Sequence, residues 1–210
     1  DVIAQAKTGS GKTAAFGLAM LNKLQVKRFH VQSLVLCPTR ELADQVAKEI
    51  RRLGRGIHNI KVLTLCGGAP FGPQIGSLEH GAHIVVGTPG RIEEHLRKGT
   101  LRLDDVTTFV LDEADRMLDM GFQPSLDAIV GYLPAKRQTL LFSATYPEQI
   151  QLIAKRIMHE PIRVTVETAH DDSSIEQHFY ALEDGRSRTE ALQLLLLTYR
   201  PNSAVVFCNT

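Results

Sequence analysis

Short apolar runs alternate along most of the chain with longer segments in which apolar residues recur at helical spacing. The apolar runs lie at 2–6, 33–37, 60–66, 83–87, 107–111, 138–142 and 162–166. The helical patterns lie at 12–24, 40–53, 90–98, 123–133 and 147–157. Continuous apolar runs are typical of strands that are buried on both faces of a sheet. The alternation therefore predicts an α/β domain, with a mainly parallel sheet and helices on both of its faces.

This alternation stops near Val166. Residues 167–174 (ETAHDDSS) are polar and acidic, which is typical of a linker. Beyond them, the segments 175–182, 188–199 and 203–209 predict a strand, a helix and a strand, a unit too small to bury a core. We therefore expect one domain over 1–166, a linker over 167–174, and the incomplete start of a second domain over 175–210.

Composition and charge limit the kinds of partner and the cellular compartment that we expect for this protein. The formal net charge of the 210 residues is +1, so contact with a nucleic acid must be local rather than spread over a basic face. No apolar run is long enough to span a bilayer, and we expect no membrane partner. Cys37, Cys66 and Cys208 lie in or beside apolar runs, which predicts buried thiols in a reducing compartment. We expect a cytoplasmic protein.

A glycine-rich segment follows the first apolar run and precedes the first helical pattern. It reads AKTGSGKT and comprises Ala6, Lys7, Thr8, Gly9, Ser10, Gly11, Lys12 and Thr13. Glycines let backbone N–H groups turn toward phosphate oxygens, a lysine reaches the β and γ phosphates, and a threonine hydroxyl can ligate Mg²⁺. The alternative is a glycine-rich turn that only begins a helix. The position between a strand and a helix favours nucleotide binding.

An acidic segment follows the strand predicted at 107–111. Asp112 lies where the apolar run ends, and ligands of open α/β sheets gather beyond the carboxyl ends of strands. A carboxylate there can hold Mg²⁺, and the adjacent Glu113 can orient or deprotonate an attacking water. The alternative is an acid-rich first helical turn, which the helix dipole favours. Together with the glycine-rich segment, these acids favour catalysis.

Threonines occupy three further junctions between a strand and a helix, at CPTREL (37–42), GTPGRI (87–92) and SATYPEQ (143–149). Each has a structural explanation: Thr88 before Pro89 predicts a helix N-cap, and Thr145 with Glu148 predicts a capping box. The starts of helices also present free N–H groups to anions. Arg40 and Arg91 at two of these junctions suggest a nucleic-acid backbone held without base readout. On these residues alone, both interpretations stay open.

The motifs AKTGSGKT, PTREL, GG (67–68), TPGR, DEAD and SAT occur in the order and context of the DEAD-box RNA helicases. The chain resembles that family over essentially its whole length, and most of all its bacterial DbpA-type branch. The resemblance implies a RecA-like P-loop NTPase domain and the start of a second one. It also implies an ATPase that RNA stimulates and that locally unwinds short RNA duplexes, with ATP and Mg²⁺ as cofactors.

The resemblance also implies a role for each matching residue. Lys12, Asp112 and Glu113 are expected to be catalytic, with Thr13 and Asp112 holding Mg²⁺. Asp115 is expected to contact Ser143 and Thr145, and so to couple ATP to duplex opening. The residues expected to line the path of single-stranded RNA are Pro38, Thr39, Arg40, Gly68, Thr88, Gly90 and Arg91. The family contacts sugar and phosphate with little sequence preference.

Members of the family have two RecA-like domains, and the residues that read adenine lie upstream of the glycine-rich segment. The second domain supplies arginines that stabilise phosphoryl charge, and VVFCNT (205–210) resembles its first motif. The resemblance therefore implies a monomeric fragment, weak or inactive alone, with RNA and the missing second domain as partners and a role around ribosomal RNA. Two alternatives remain: a DNA-directed P-loop helicase or ATPase, and a non-catalytic module that binds RNA or a partner protein.

Overall fold

The computed structural model of the chain describes residues 1–7, 9–166, 176–182 and 187–208. Two compact units are present, residues 1–168 and residues 169–210. The predicted linker 167–174 lies outside the described residues, and so does Thr8. In the part of the chain that the structure describes, no helix has the length and hydropathy needed to cross a membrane.

Seven strands form a single sheet in the first unit. They are β1 (Val2–Gln5), β2 (Ser33–Leu36), β3 (Val62–Leu65), β4 (Ile84–Gly87), β5 (Thr108–Leu111), β6 (Gln138–Ser143) and β7 (Ile162–Thr165). Their order across the sheet is β3-β4-β2-β5-β6-β1-β7, and all neighbouring strands are parallel. Each predicted apolar run coincides with one of these strands to within two residues at either end, so the predicted parallel sheet is confirmed.

Seven helices accompany the sheet. They are α1 (Lys12–Lys23), α2 (Arg40–Leu53), α3 (Phe71–Glu79), α4 (Pro89–Arg97), α5 (Ala114–Asp119), α6 (Gln123–Val130) and α7 (Glu148–Ile157). Two apolar clusters show that the helices cover both faces of the sheet, as predicted. In β2, Val35 belongs to a cluster with Phe16 of α1 and Ile50 of α2, whereas Leu34 belongs to the other cluster with Ile92 of α4. Burial of each such side chain contributes about 1.5–3 kcal/mol.

Helix α3 is absent from the sequence prediction. Its sequence, FGPQIGSLE, contains Gly72, Pro73 and Gly76, residues that normally indicate a turn. Pro73 falls within the first turn of the helix, where its missing N–H removes no intrahelical hydrogen bond. The segment can therefore be helical despite its composition.

The two predicted helix caps have different outcomes. Helix α4 begins at Pro89 with Thr88 at its N-cap position, which confirms that prediction, although the Thr88 side chain makes no capping hydrogen bond. The capping box at Thr145 and Glu148 is wrong, because α7 begins at Glu148 itself and its N-cap is Pro147. The Thr145 hydroxyl is bound instead to a carboxylate on another element, described below.

The second unit contains α8 (Arg188–Tyr199), which matches the predicted helix. Its N-cap is Ser187, whose hydroxyl accepts a hydrogen bond from the N–H of Thr189 at 3.2 Å. Among the described residues of this unit, 176–182 and 201–208 are not in strands, so the two strands predicted there are not found. An isolated strand has no neighbour to satisfy its backbone groups, and these segments pair with none. Cys208 is exposed, unlike the buried Cys37 and Cys66, so its predicted burial is wrong.

Candidate functional site

The predicted site residues gather at one edge of the sheet. All strands are parallel, so the turns that follow β1, β2, β4, β5 and β6 leave the sheet at the same edge. These turns contain the glycine-rich segment, Thr39, Thr88, the acids Asp112 and Glu113, and the Ser143–Thr145 turn. Ligands of open α/β sheets bind at this edge.

The glycine-rich loop between β1 and α1 has the backbone geometry of an anion site. Gly9 and Gly11 have φ angles of +85° and +83°, a region that glycine adopts without strain. Helix α1 begins at Lys12, directly after Gly11, and no side chain caps its first N–H groups. The uncapped N-terminus of a helix that follows such a loop is suited to bind phosphate.

Lys12 and Ser10 close the loop upon itself. The Lys12 ammonium donates a hydrogen bond to the carbonyl of Ala6 at 2.9 Å, and the Ser10 hydroxyl donates to the carbonyl of Lys7 at 2.8 Å. Lys12 is half-buried, and its charge acts on Asp112 across the edge of the sheet. The loop therefore holds a cation beside a carboxylate from another strand.

Asp112 is a buried carboxylate at the end of β5. Its exposed fraction is 2%, and burial raises its pKa to about 6, although Lys12 acts to lower it. One oxygen accepts a hydrogen bond from the N–H of Glu113 at 3.1 Å. A buried carboxylate with so little compensation is costly, and a cation bound there would stabilise its charged form.

Glu113 has an unusual backbone conformation. Its φ and ψ are both 53°, in the left-handed region that residues with a Cβ adopt infrequently. Strain of this kind is concentrated at functional sites. Its carboxylate is paired with the Arg116 guanidinium at 3.4 Å, and its side chain is 16% exposed.

Ser143 contacts both the glycine-rich loop and the acidic turn, which comprises residues 112–115. Its carbonyl accepts a hydrogen bond from the N–H of Ala6 at 3.0 Å, and its hydroxyl accepts one from the N–H of Asp115 at 3.3 Å. The Asp115 carboxylate in turn accepts two hydrogen bonds from Thr145. The structure thus brings Asp115, Ser143 and Thr145 together, and links them to the start of the glycine-rich loop.

A second group of predicted residues surrounds the turn after β3. Thr39 is the N-cap of α2 and accepts a hydrogen bond from the N–H of Leu42 at 3.2 Å. Arg40 donates to the carbonyl of Gly67 at 3.3 Å, and Gly68 has a φ of +78°. The N–H of Thr88 donates to the carbonyl of Leu65 at 3.2 Å. The three motifs are therefore adjacent in the fold.

The remaining predicted residues of this group differ in exposure. Gly90 is exposed on the first turn of α4, whereas Pro38 is buried. The Arg91 side chain is only 12% exposed. Its guanidinium donates to the carbonyl of Ala69 at 3.0 Å and to the side-chain oxygen of Gln74 at 3.1 Å. Arg91 therefore faces the turn after β3 rather than open solvent.

Two buried residues of this region are missing from the sequence prediction, Gln74 of α3 and His95 of α4. Gln74 lies in a segment rich in glycine and proline, and His95 occupies an inward position of an amphipathic helix. Neither signal differs from that of an ordinary structural residue. Only the contact between the two helices reveals them.

Comparison with known proteins identifies relatives over the whole chain. A family model described as DEAD/DEAH box helicase matches residues 1–153. The chain is 55% identical over all 210 residues to the ATP-dependent RNA helicase DbpA of Escherichia coli and covers 46% of that protein. It is 47% identical over 210 residues to the DEAD-box ATP-dependent RNA helicase CshA of Geobacillus kaustophilus and covers 45% of it. The chain thus spans about half the length of these relatives.

Solved structures of similar fold come from the same kind of protein as these relatives. A DEAD box protein from Methanococcus jannaschii matches 93% of this chain with a TM-score of 0.76 and 42% identity, over 52% of its own length. A hypothetical ATP-dependent RNA helicase from Sulfolobus tokodaii matches 79% of this chain with a TM-score of 0.71 and 39% identity, over 48% of its own length. The RecA-like fold predicted from the motifs is confirmed.

Proposed function

The chain belongs to the DEAD/DEAH box helicase family, and we propose that it forms the ATP-binding part of an RNA helicase. In this proposal RNA stimulates the hydrolysis of ATP, and hydrolysis is coupled to local opening of an RNA duplex. The relatives DbpA and CshA carry the name ATP-dependent RNA helicase, which supports the assignment. The prediction of a cytoplasmic location rests on the composition and the cysteines, and that of a role around ribosomal RNA rests on the family resemblance alone.

One observation carries the proposal: the buried carboxylate of Asp112 lies within electrostatic reach of Lys12 in the glycine-rich loop. The fold is destabilised by this carboxylate, since burial disfavours its charged form. A bound Mg²⁺–nucleotide would compensate that cost. Structural stability alone does not explain why a charged group is buried at this edge of the sheet.

The glycine-rich loop and its neighbours supply the groups that the cofactors require. Residues 6–13 would surround the phosphates, with the Lys12 ammonium leaving the Ala6 carbonyl to contact them. The Thr13 hydroxyl and the Asp112 carboxylate are hard oxygen donors of the kind that Mg²⁺ prefers, so the residues present fit this ion. When bound, Mg²⁺ would neutralise charge on the phosphates. Glu113 would orient and deprotonate the attacking water.

The second group of residues would hold RNA by its sugar-phosphate backbone. The contributing residues would be Pro38, Thr39, Arg40, Gly68, Thr88 and Gly90, with Arg91 supporting the turn after β3. Helices α2 and α4 begin here, and the N-termini of helices attract phosphate groups. Gly68 and Gly90 are exposed, so a ligand backbone can approach them closely. Such contacts position a nucleic acid without reading its bases.

The contacts among Asp115, Ser143 and Thr145 would couple the two ligands. The Ser143 carbonyl contacts the start of the glycine-rich loop, and its hydroxyl contacts the N–H of Asp115. Movement of the acidic turn on ATP hydrolysis would therefore be transmitted to the turn after β6. This network offers a physical route for the proposed coupling.

A chimera tests the proposal: this chain would replace the matching 46% of E. coli DbpA. We expect RNA-stimulated release of phosphate, reduced about 10²–10⁴-fold by Glu113→Gln, because a general base contributes that much to turnover. Arg116→Gln is the matched control, since it removes the partner of Glu113 but leaves the carboxylate.

The same assay separates the alternative functions. Single-stranded DNA of the same sequence as the RNA should compete poorly for the chimera. Equal stimulation by DNA would favour a DNA-directed enzyme. Binding of RNA with no phosphate release, in a chimera that still binds an ATP analogue, would favour a non-catalytic module.

A further inference from the structure

A buried polar cluster lies between α3 and α4, beside the turn that comprises residues 67–70. Its members are Gln74, Arg91, His95 and Thr100. Gln74 is 9% exposed and His95 is fully buried. The family motifs include Arg91 but neither Gln74 nor His95. Buried polar groups are costly unless they are fully hydrogen-bonded, and a fully bonded network favours one arrangement of its surroundings.

The side-chain amide of Gln74 is the centre of the cluster. Its nitrogen donates to the carbonyl of Cys66 at 3.1 Å. Its oxygen accepts from the Arg91 guanidinium at 3.1 Å and lies 2.9 Å from Nε2 of His95. A carbonyl only accepts and a guanidinium only donates, so these two partners determine which way the amide is oriented.

The orientation of Gln74 also determines the tautomer of His95. Because the Gln74 oxygen is an acceptor, Nε2 of His95 must carry the proton and donate to it. Nδ1 is then an acceptor for the Thr100 hydroxyl, which lies 2.8 Å from it and 3.1 Å from the carbonyl of His95. The imidazole is neutral, since burial lowers the pKa of His95 to about 4, with a further contribution from Arg91. Every polar atom of both side chains except one N–H of Gln74 thus has a partner.

The cluster also contacts the aromatic ring of Phe71, which directly follows the turn. The His95 ring stacks on the Phe71 ring, with centroids 4.1 Å apart and planes at 17°. The Lys98 ammonium lies 4.0 Å from the Phe71 centroid, within the range of a cation–π contact. Phe71 is the first residue of α3, so the stacking holds the end of the turn against α4.

Three carbonyls in and beside the turn are therefore held by side chains. Gln74 binds the carbonyl of Cys66, Arg40 binds that of Gly67, and Arg91 binds that of Ala69. Gln74 also holds the Arg91 guanidinium that makes the third of these bonds. A change at Gln74 would remove the bond to the Cys66 carbonyl and would leave the Arg91 guanidinium held by Glu94, at 3.2 Å, and by the Ala69 carbonyl.

We propose that Gln74 and His95 are positioning residues that hold the 67–70 turn, through Arg91 and Phe71, in the conformation that contacts the sugar-phosphate backbone of RNA. The inference rests on the proposed function, since it concerns the RNA-binding side of the same site. Neither residue touches RNA in this arrangement. Arg91 acts on RNA indirectly, because its guanidinium is occupied by the turn.

Gln74→Met tests the proposal, because it removes the amide but keeps the length of the side chain. The 210-residue chain would be titrated with a short fluorescein-labelled oligouridylate and, separately, with a fluorescent ATP analogue. We expect the Kd for RNA to rise about 10-fold and that for the nucleotide to change by less than about twofold, as for the loss of local hydrogen bonds. Gln151→Met, on the exposed surface of α7, is the matched control and should change neither value.

Amide hydrogen exchange provides a second readout that does not depend on RNA. Exchange of residues 67–71 should become faster in Gln74→Met and unchanged in the control. Thr100→Val is a milder variant that removes only the hydroxyl partner of His95 and should change both readouts in the same direction by a smaller factor. This variant serves the test if Gln74→Met does not fold.

The outcomes separate the inference from the proposed function. Faster local exchange with weaker RNA binding supports both. Faster local exchange in Gln74→Met, together with a wild-type chain that binds no RNA, contradicts the RNA-binding function and limits the cluster to a structural role. Unchanged exchange in folded Gln74→Met and Thr100→Val overturns the inference, as does an equal loss of affinity for RNA and nucleotide.

Discussion

The carboxylate of Asp115 accepts two hydrogen bonds from Thr145, one from its backbone N–H at 2.9 Å and one from its hydroxyl at 2.8 Å. The two residues are 30 positions apart in sequence and follow different strands. Burial tends to raise the pKa of Asp115, but the hydrogen bonds from Thr145, Ser143 and the N–H of Arg116 together outweigh it, and the pKa lies below its ordinary value. The ionised carboxylate is therefore part of what joins the two turns.

Thr145→Val should weaken this junction, because it removes the hydroxyl donor but keeps the backbone N–H. We expect the free energy of unfolding at pH 7 to fall by about 1 kcal/mol, which is below the usual range for bonds to charged groups because the site is partly exposed. The pKa of Asp115 should move back toward 3.8, its ordinary value. Urea unfolding and an NMR titration of Asp115 measure the two effects.

Thr145→Ser is the control for that experiment, since it keeps the hydroxyl. A lowered pKa contributes stability that is present above the ordinary value and is lost as the pH falls through the folded-state value. The difference between the valine and serine variants should therefore shrink as the pH falls toward that value. A difference that is the same at every pH would contradict the role of the ionised carboxylate.

The buried carboxylate of Asp112 predicts the opposite dependence on pH. Its pKa in the folded protein is about 6, above the ordinary 3.8, so the native state binds this proton more tightly than the unfolded state does. The resulting stabilisation is full below the ordinary value and is lost as the pH rises through about 6. At pH 8 the charged group costs on the order of 3 kcal/mol.

Asp112→Asn should accordingly raise the free energy of unfolding at pH 8 by up to about 3 kcal/mol and have little effect at pH 4. Thermal or urea unfolding across this range is the measurement. Asp119→Asn, an exposed position at the end of α5, should show no such dependence. A wild-type stability that does not change between these pH values would refute the prediction.

Gly68 should not tolerate a side chain. Its φ is +78°, and a Cβ at this position would overlap the guanidinium of Arg40. The Arg40 side chain can move away from that Cβ if it gives up its hydrogen bond to the Gly67 carbonyl. The left-handed backbone conformation cannot be avoided in this way, and it costs a residue with a Cβ about 1–2 kcal/mol of stability. We expect Gly68→Ala to lower the free energy of unfolding by that amount and to weaken RNA binding.

Gly72→Ala is the matched control for Gly68→Ala, four residues further along the same segment. It lies in α3, and a Cβ there would meet no atom within 4 Å. Alanine favours a helix over glycine, so this variant should be as stable as the wild type or more stable by up to about 1 kcal/mol. Equal effects of the two substitutions, in urea unfolding and in RNA titration, would show that the backbone of Gly68 is not the cause.

The second unit exposes many apolar side chains. Phe179 is 91% exposed, Phe207 is 93% exposed and Leu197 of α8 is 68% exposed. Exposed apolar surface of this kind promotes association. A chain that ends after Val166 keeps the bond from the Val166 N–H to the carbonyl of Gln5, and we expect it to be more soluble than the 210-residue chain.

Light scattering at increasing protein concentration measures this difference, with thermal unfolding to show that residues 1–166 stay folded. Phe207→Ser in the 210-residue chain is the control, since it should recover part of the gain without a change of length. Equal or lower solubility of the shorter chain would contradict the predicted domain boundary at Val166.

The pattern along the chain was sufficient to predict the sheet and most of its helices. The runs 33–37, 83–87 and 107–111 each have at least three consecutive apolar residues, which is typical of a strand buried on both faces, and each contains a buried strand. The glycine-rich loop could also be predicted from the sequence, because glycine adopts the left-handed angles found at Gly9 and Gly11 without strain. These features depend on neighbours in sequence.

The order of the strands and the partners of the polar side chains depended on packing instead. Thr145 and Glu148 have the spacing of a capping box, but Asp115 lies close enough in the fold to take the threonine hydroxyl. Gln74 and His95 have no recognisable pattern, and they meet only because the fold brings their side chains within hydrogen-bonding distance. Backbone preferences and burial act over a few residues and can be read from the sequence. A hydrogen bond between distant elements depends on distances that exist only after the chain has folded.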